Sequence, residues 1–191
     1  MAVNLSKGQK ISLKKEANST LTKVIMGLGW DAVKKKGFFG SSPGSIDLDA
    51  SCIMFDDTKK LVDVVWFRQL KSKDGSIVHT GDNRTGAGEG DDEQIIVDLE
   101  KVPANVKYLV FVVNSFTGQT FNQVENAFCR IVDTKNNAEI AKYTLSGGGN
   151  YTAQIMTKVY RHDNEWKMHA IGEPANGRTF QDIAPTIQAF L

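Results

Sequence analysis

At 191 residues, 41% of them apolar, the chain suits one domain with a sizeable core. Its 23 Lys and Arg balance 22 Asp and Glu, which argues against a general nucleic-acid binder, since such proteins carry a basic excess. No apolar run approaches the roughly 18 residues that a membrane-spanning helix needs, and the opening MAVNLSKGQKISLKK has none of the continuous apolar stretch of a secretory signal.

The first 36 residues hold eight lysines against Glu16 and Asp31, read as solvated strand faces and turns. A strand is expected from Gln9 to Leu13 and another over Val24 to Trp30, ending in the run GLGWD at Asp31. A glycine-rich loop over 31 to 45 follows. Ile46 to Phe55 reads as a strand whose side chains alternate faces. Ile46, Leu48, Ala50, Cys52 and Met54 form its core side; Asp47, Asp49 and Ser51 point the other way. Asp47 and Asp49 then stand roughly 6.5 Å apart, too far to share a proton but close enough to flank a cation. The bland alternative is two solvated aspartates on an open sheet face. Asp56 and Asp57 suit a turn before the strand Leu61 to Arg68. After KDGS and a long loop over 79 to 92 come strands at Gln94 to Leu99 and Val106 to Asn114. Phe121 to Asn126 suggests a single helical turn. Strands follow at Ala127 to Val132, Ala138 to Leu145, Tyr151 to Tyr160 and Glu165 to Ile171, separated by TKNNAE, SGGGN and RHDNE. Thr179 to Leu191 has helical spacing of Phe180, Ile183, Ile187 and Phe190, limited by Pro185. About ten strands so spaced imply an all-β fold. The expected architecture is an antiparallel β-sandwich of two sheets with short helices, one of them C-terminal, forming a single domain over 1 to 191. Cys52 and Cys129, each in an apolar stretch, read as buried free thiols of a reducing compartment, and the chain as cytoplasmic.

Residues 81 to 93, GDNRTGAGEGDDE, carry most of the chemistry. Five acids (Asp82, Glu89, Asp91, Asp92, Glu93) stand with one base, Arg84, and four glycines. Crowded carboxylates repel unless solvated or neutralised, and glycines let carboxylate and carbonyl oxygens converge. Hard oxygens on a bendable loop suit Ca2+, which takes six to eight of them. An EF-hand is excluded. Asp82 and Glu93 fit its first and last positions, but Arg84, Gly86 and Ala87 break the interior. A phosphate loop is excluded too, because Gly-Lys-Ser/Thr is missing and the acids repel phosphate. His79, His162 and His169 lack zinc spacing, and His79 reads as a hydrogen-bonding neighbour of the acidic loop. No nucleophile motif supports an enzyme; a metal-assisted hydrolase or an acid/base carboxylate pair remains the lesser alternative.

The motifs GLGWD (27 to 31), IDLDAS (46 to 51), HTGDNRTGAGEGDDE (79 to 93) and NAFCRIVD (126 to 133) resemble the bacterial tellurium-resistance TerD family over nearly the whole chain. The resemblance implies a calcium-binding β-sandwich of a cytoplasmic stress-response protein with no enzymatic activity. It maps the acidic positions onto Asp31, Asp47, Asp49, Asp82, Asp91, Asp92 and Glu93, with Asn83 a further ligand. The charge of these acids favours two calcium ions over one. Calcium then orders a scaffold or sensor that recruits other tellurium-resistance or stress proteins, or, alternatively, a C2-like module that meets anionic lipid as a peripheral membrane protein. No nucleic-acid partner is expected. Asp63, a strand aspartate outside the motifs, is expected to play no part in binding.

Overall fold

The computed structural model describes residues 2–17, 21–32, 47–81, 90–144 and 149–191. In chain order the elements are β1 (Val3–Asn4), β2 (Lys10–Ser12), α1 (Leu13–Ala17), β3 (Lys23–Ala32), β4 (Leu48–Asp56), β5 (Leu61–Val65) and β6 (Ile77–His79). Then come β7 (Glu93–Asp98), β8 (Val106–Ser115), a 3-10 turn (Phe121–Gln123), β9 (Val124–Asp133), β10 (Ala138–Thr144), β11 (Ala153–His162), β12 (Glu165–Ala175) and α2 (Ala184–Gln188). Among the described residues, twelve strands form two six-stranded sheets, ordered β1-β10-β9-β3-β7-β6 and β2-β12-β11-β8-β4-β5. Every pairing is antiparallel except β1 with β10. The expected two-sheet sandwich is therefore the fold.

Period-two patterning explains the packing. β7 alternates buried and half-buried residues throughout, placing Glu93, Ile95 and Val97 inward. Met26, Leu28 and Trp30 of β3 meet Leu48, Ala50, Cys52 and Met54 of β4 in the main core between the sheets. Cys52 and Cys129 are both free and buried there, as their apolar neighbours imply.

The second sheet carries a further apolar layer. Ile53, Phe55, Val110, Val112 and Ile155 on its outer side pack with Ala175 at the end of β12 and with Phe180, Ile183 and Ile187 of the C-terminal segment. The amphipathic spacing of residues 180 to 190 thus serves a third layer. One consequence corrects the solvated-face alternative for β4: Asp49 and Ser51 are buried, at 6% and 3% exposure. Asp63 is buried as well, accepting the Lys73 N–H at 2.7 Å and the Gln69 side-chain amide at 2.9 Å. It is a structural residue and not the bystander that its position outside the motifs suggests.

Candidate acidic site at one pole

The acids gather where β3 ends and β7 begins. Gly27 and Gly29 make this possible. A Cβ on Gly27 would stand 2.3 Å from the Asp91 carboxylate, and one on Gly29 would stand 2.5 Å from the Phe128 ring and 2.6 Å from the Gly90 carbonyl. The GLG spacing lets the Gly90–Asp92 chain lie directly on β3. Asp92 then closes the contact twice: its N–H donates to the Leu28 carbonyl at 2.7 Å, and its Oδ2 accepts the Trp30 N–H at 2.8 Å.

Each acid has a distinct environment. Asp91 lies over the outer face of the first sheet and is met by a guanidinium. Arg130 donates from Nε at 2.7 Å and Nη2 at 3.2 Å, Gln94 adds an amide at 3.0 Å, and Arg130 Nη1 reaches Glu139 at 3.3 Å. The fork geometry satisfies both Asp91 oxygens. Asp31 is exposed and accepts the Asn126 side-chain amide at 2.8 Å. Asn126 is held in the left-handed region, at φ 53°, which asparagine tolerates better than most residues. Asp92 is pushed above the usual carboxylate range, first by desolvation and then by the like charges of Asp31, Glu93 and Asp91, with the Trp30 N–H working against the shift.

Glu93 points into the sandwich. Its Oε2 accepts the Ala50 N–H at 2.7 Å and lies 3.3 Å from His79 Nε2. The Gly81 N–H donates to His79 Nδ1 at 3.1 Å, which leaves the ring proton on Nε2, toward the carboxylate. His79 thus hydrogen-bonds next to the acidic loop, as its position in the sequence suggests. Through Ala50 the same carboxylate fixes the start of β4, where half-buried Asp47 and buried Asp49 lie. Asp49 pairs across the ladder with Asn114, whose amide donates to the Gly177 carbonyl at 3.2 Å.

The structure brings Asp31, Asp91 and Glu93 each within electrostatic reach of Asp92 and, through the Ala50 N–H, ties the Asp47–Asp49 strand to Glu93. Asp82 and Asn83 lie outside the described residues. Among the described residues, no group of three or more His, Cys, Asp or Glu side chains is arranged to hold a metal. The carboxylate oxygens are hard donors of the kind a divalent cation takes, and burial followed by like charge disfavours the ionised form of Asp92. Arg130, Gln94 and Asn126 were not singled out from sequence. Arg130 could have been, as the lone base between the core residues Cys129 and Ile131, which alternation turns to the face opposite theirs.

An antiparallel two-sheet sandwich with an acidic pole is the class of protein defined so far. The TerD domain model matches residues 1–186, and the chain belongs to the TerD family. It is 50% identical over 184 residues to tellurium resistance protein TerZ of Serratia marcescens, covering 95% of this chain and 94% of that one. It is 44% identical to stress response protein SCP2 of Bacillus subtilis strain 168, covering 96% and 98%, and 41% identical to TerD of Serratia marcescens, covering 91% of each. These identities do not single out TerD within the family. A crystal structure of a TerD homologue from Streptomyces coelicolor A3(2) superposes with a TM-score of 0.69 at 19% identity, over 85% of this chain and 95% of that one, and confirms the fold.

Proposed function

We propose that the acidic pole binds Ca2+ and that the bound metal orders a surface on which a stress-response protein of this family recruits partners. The carrying observation is the convergence of Asp31, Asp91, Asp92 and Glu93 from β3 and the chain entering β7, with the Asp92 carboxylate disfavoured first by burial and then by its neighbours' charge. Of these, Asp31 and Asp92 would hold the metal, together with Asp47, Asp49 and the Asp82–Asn83 segment. Asp91 and Glu93 are already met by Arg130 and by Ala50 with His79, so they position the chain around the ligands. A divalent ion supplies the positive charge that quiets this crowd; two ions leave less charge uncompensated than one. Metal binding to the native state raises stability by RT ln(1 + [L]/Kd), about 2.7 kcal/mol at a hundredfold excess over Kd. Thermal unfolding with calcium, with magnesium and with chelator tests the reading. Calcium should raise Tm more than magnesium, and superimposable curves in calcium and chelator would sink it.

A second reading is favoured by one surface. Phe116 follows β8 directly, is 38% exposed, and stacks edge-on with Phe67 at 5.5 Å. Exposed Leu70 lies on the same β5–β6 connection, and the Arg68 guanidinium sits 5.3 Å from the Phe67 ring. Aromatic and basic groups beside a calcium pole suit peripheral contact with anionic lipid. Pelleting with phosphatidylserine vesicles separates the readings: calcium-dependent pelleting lost in Phe116→Ser supports lipid, and none supports a protein partner.

A further inference from the structure

At the opposite end of the sandwich, about 30 Å away along the ten residues of β8, lies a groove of about 440 Å3. This falls in the size range of small-molecule sites. Lys107, Arg161, Trp166, Asp57, Asn105 and Asn164 line it. One wall is the β11–β12 hairpin, closed by Asp163 and Asn164 at φ 52° and 58°. Two successive left-handed residues give the tight turn that matches strand twist, so this wall is rigid. The other wall is the turn leading into β8, held by the Val106 N–H on the Pro103 carbonyl at 3.0 Å.

The charges in this groove are unequally matched. Asp163 lies 2.6 Å from His162 Nδ1 and 3.9 Å from Lys167 Nζ. Glu165 accepts the Ser12 hydroxyl at 3.0 Å and lies 3.7 Å from Lys14. Among the described residues, neither Lys107 nor Arg161 makes an ion pair. Arg161 is committed otherwise: Nη2 donates to the Val102 carbonyl at 2.7 Å, its guanidinium lies 4.4 Å from the Trp166 ring centre, and its buried Nε has no acceptor. Burial lowers its pKa with no carboxylate to oppose the shift. Two cations in a preformed groove, one partly desolvated and stacked on an aromatic ring, await an anion. Asp57, exposed in the β4–β5 turn, is the remaining acid and can accept from a ligand hydroxyl.

We propose that this groove binds a small organic phosphate monoester, its phosphate between Lys107 and Arg161 and its body beside Trp166 and Asp57. A phosphate carries close to two negative charges near neutral pH, matching both cations, whereas one carboxylate would leave a cation unmet. The proposal does not depend on calcium at the other pole.

The test is a titration of 15N-labelled protein with glycerol 3-phosphate, at constant ionic strength, in metal-stripped buffer without chelator, since chelators are themselves polyanions. Saturable shifts at the Trp166 indole and at residues 104–107 and 161–166, with the acidic pole unmoved, are expected. Lys107→Gln and Arg161→Gln should each weaken binding about tenfold or more, which is about 1.4 kcal/mol. Lys107, which is only half-buried and whose ammonium has no ion-pair partner among the described residues, keeps the test decisive if Arg161→Gln fails to fold. Glycerol should give no shift. Absent or unsaturable shifts, equal binding by the Lys107→Gln protein, or tighter binding of inorganic phosphate would overturn the proposal.

Discussion

The Glu93 carboxylate and the Ala50 amide meet at 2.7 Å, joining the two sheets at the acidic pole. Ala50 needs this partner because the β5 ladder on its side of β4 stops at Cys52. The carboxylate that completes β4 also faces His79, so one buried side chain holds β4, β6 and β7 in register.

Glu93→Ala therefore strands the buried Ala50 N–H. An unmet buried donor costs about 1–3 kcal/mol, so a loss of about 2 kcal/mol is expected in urea unfolding. A loss below about 1 kcal/mol would mean that water replaces the carboxylate and that the cross-sheet bond is unimportant.

Asp92 should behave in the opposite sense. A carboxyl whose folded-state pKa is raised stabilises the fold below its ordinary value and loses that contribution as pH climbs through the raised value. At pH 7 the ionised Asp92 is thus a liability in metal-free protein. Asp92→Asn keeps the acceptor for the Trp30 N–H while removing one charge. It should stabilise chelator-treated protein at neutral pH by up to about 1 kcal/mol, the scale of a partly solvated charge interaction. The gain should shrink as pH falls through the raised value toward the ordinary carboxylate range, and calcium should stabilise the variant less than the parent. An unchanged calcium response would remove Asp92 from the metal site. Glu100→Ala, exposed and outside the pole, is a better control than Asp63→Ala, because Asp63 is hydrogen-bonded and buried.

Arg130→Gln leaves the Asp91 carboxylate, only 2% exposed, without its countercharge. Removing one partner of a buried pair typically costs about 3–5 kcal/mol. A loss near the lower end is expected, since the Arg130 side chain is 31% exposed. The deficit is read in urea unfolding, and Arg130→Lys, which keeps the charge but not the fork, should recover part of it. No recovery in the lysine variant would point to lost packing instead.

Gly27→Ala puts a methyl group where the Asp91 carboxylate lies. The Gly90–Asp92 segment must lift, breaking the bonds of Asp92 to Leu28 and Trp30. Both a stability loss of about 2 kcal/mol and a weaker calcium response are expected, read from the same melting series. Wild-type behaviour in both would show that this segment repositions freely.

The two thiols should be inert. Burial pushes Cys129 up to about 12 and Cys52 higher still, so neither supplies thiolate at neutral pH. Ellman's reagent should react with native protein only at the rate of unfolding, and fast modification would contradict the burial.

Much of this molecule was legible in its sequence because alternation and turn residues are local signals. Ile95 and Val97 fixed the inward face of β7, and the Asp-Asn pair marked the β11–β12 turn. What escaped was short or remote. β1 and β6, with two and three residues, carry too few alternations to register, and β6 was absorbed into the acidic loop's approach. LKKEA, read partly as strand, forms the helix α1, and β9 begins at Val124, within the segment read as a helical turn. At the site, acid density drew attention to Asp91–Glu93, and the GLGWD motif with the family resemblance drew it to Asp31. It could not reveal that Arg130 meets Asp91 or that Glu93 turns inward, because both depend on which strand lies alongside. Burial of Asp49 depends on a covering segment more than a hundred residues later.

The order of the sheets carries a further implication. Their four borders are β1, β6, β2 and β5, with two, three, three and five residues. Such brief margins expose few free amides and carbonyls for another chain to extend. The association with other proteins proposed above is therefore expected to rest on side chains and surface shape, not on backbone pairing along these borders of the described residues, which makes the poles the natural places of contact.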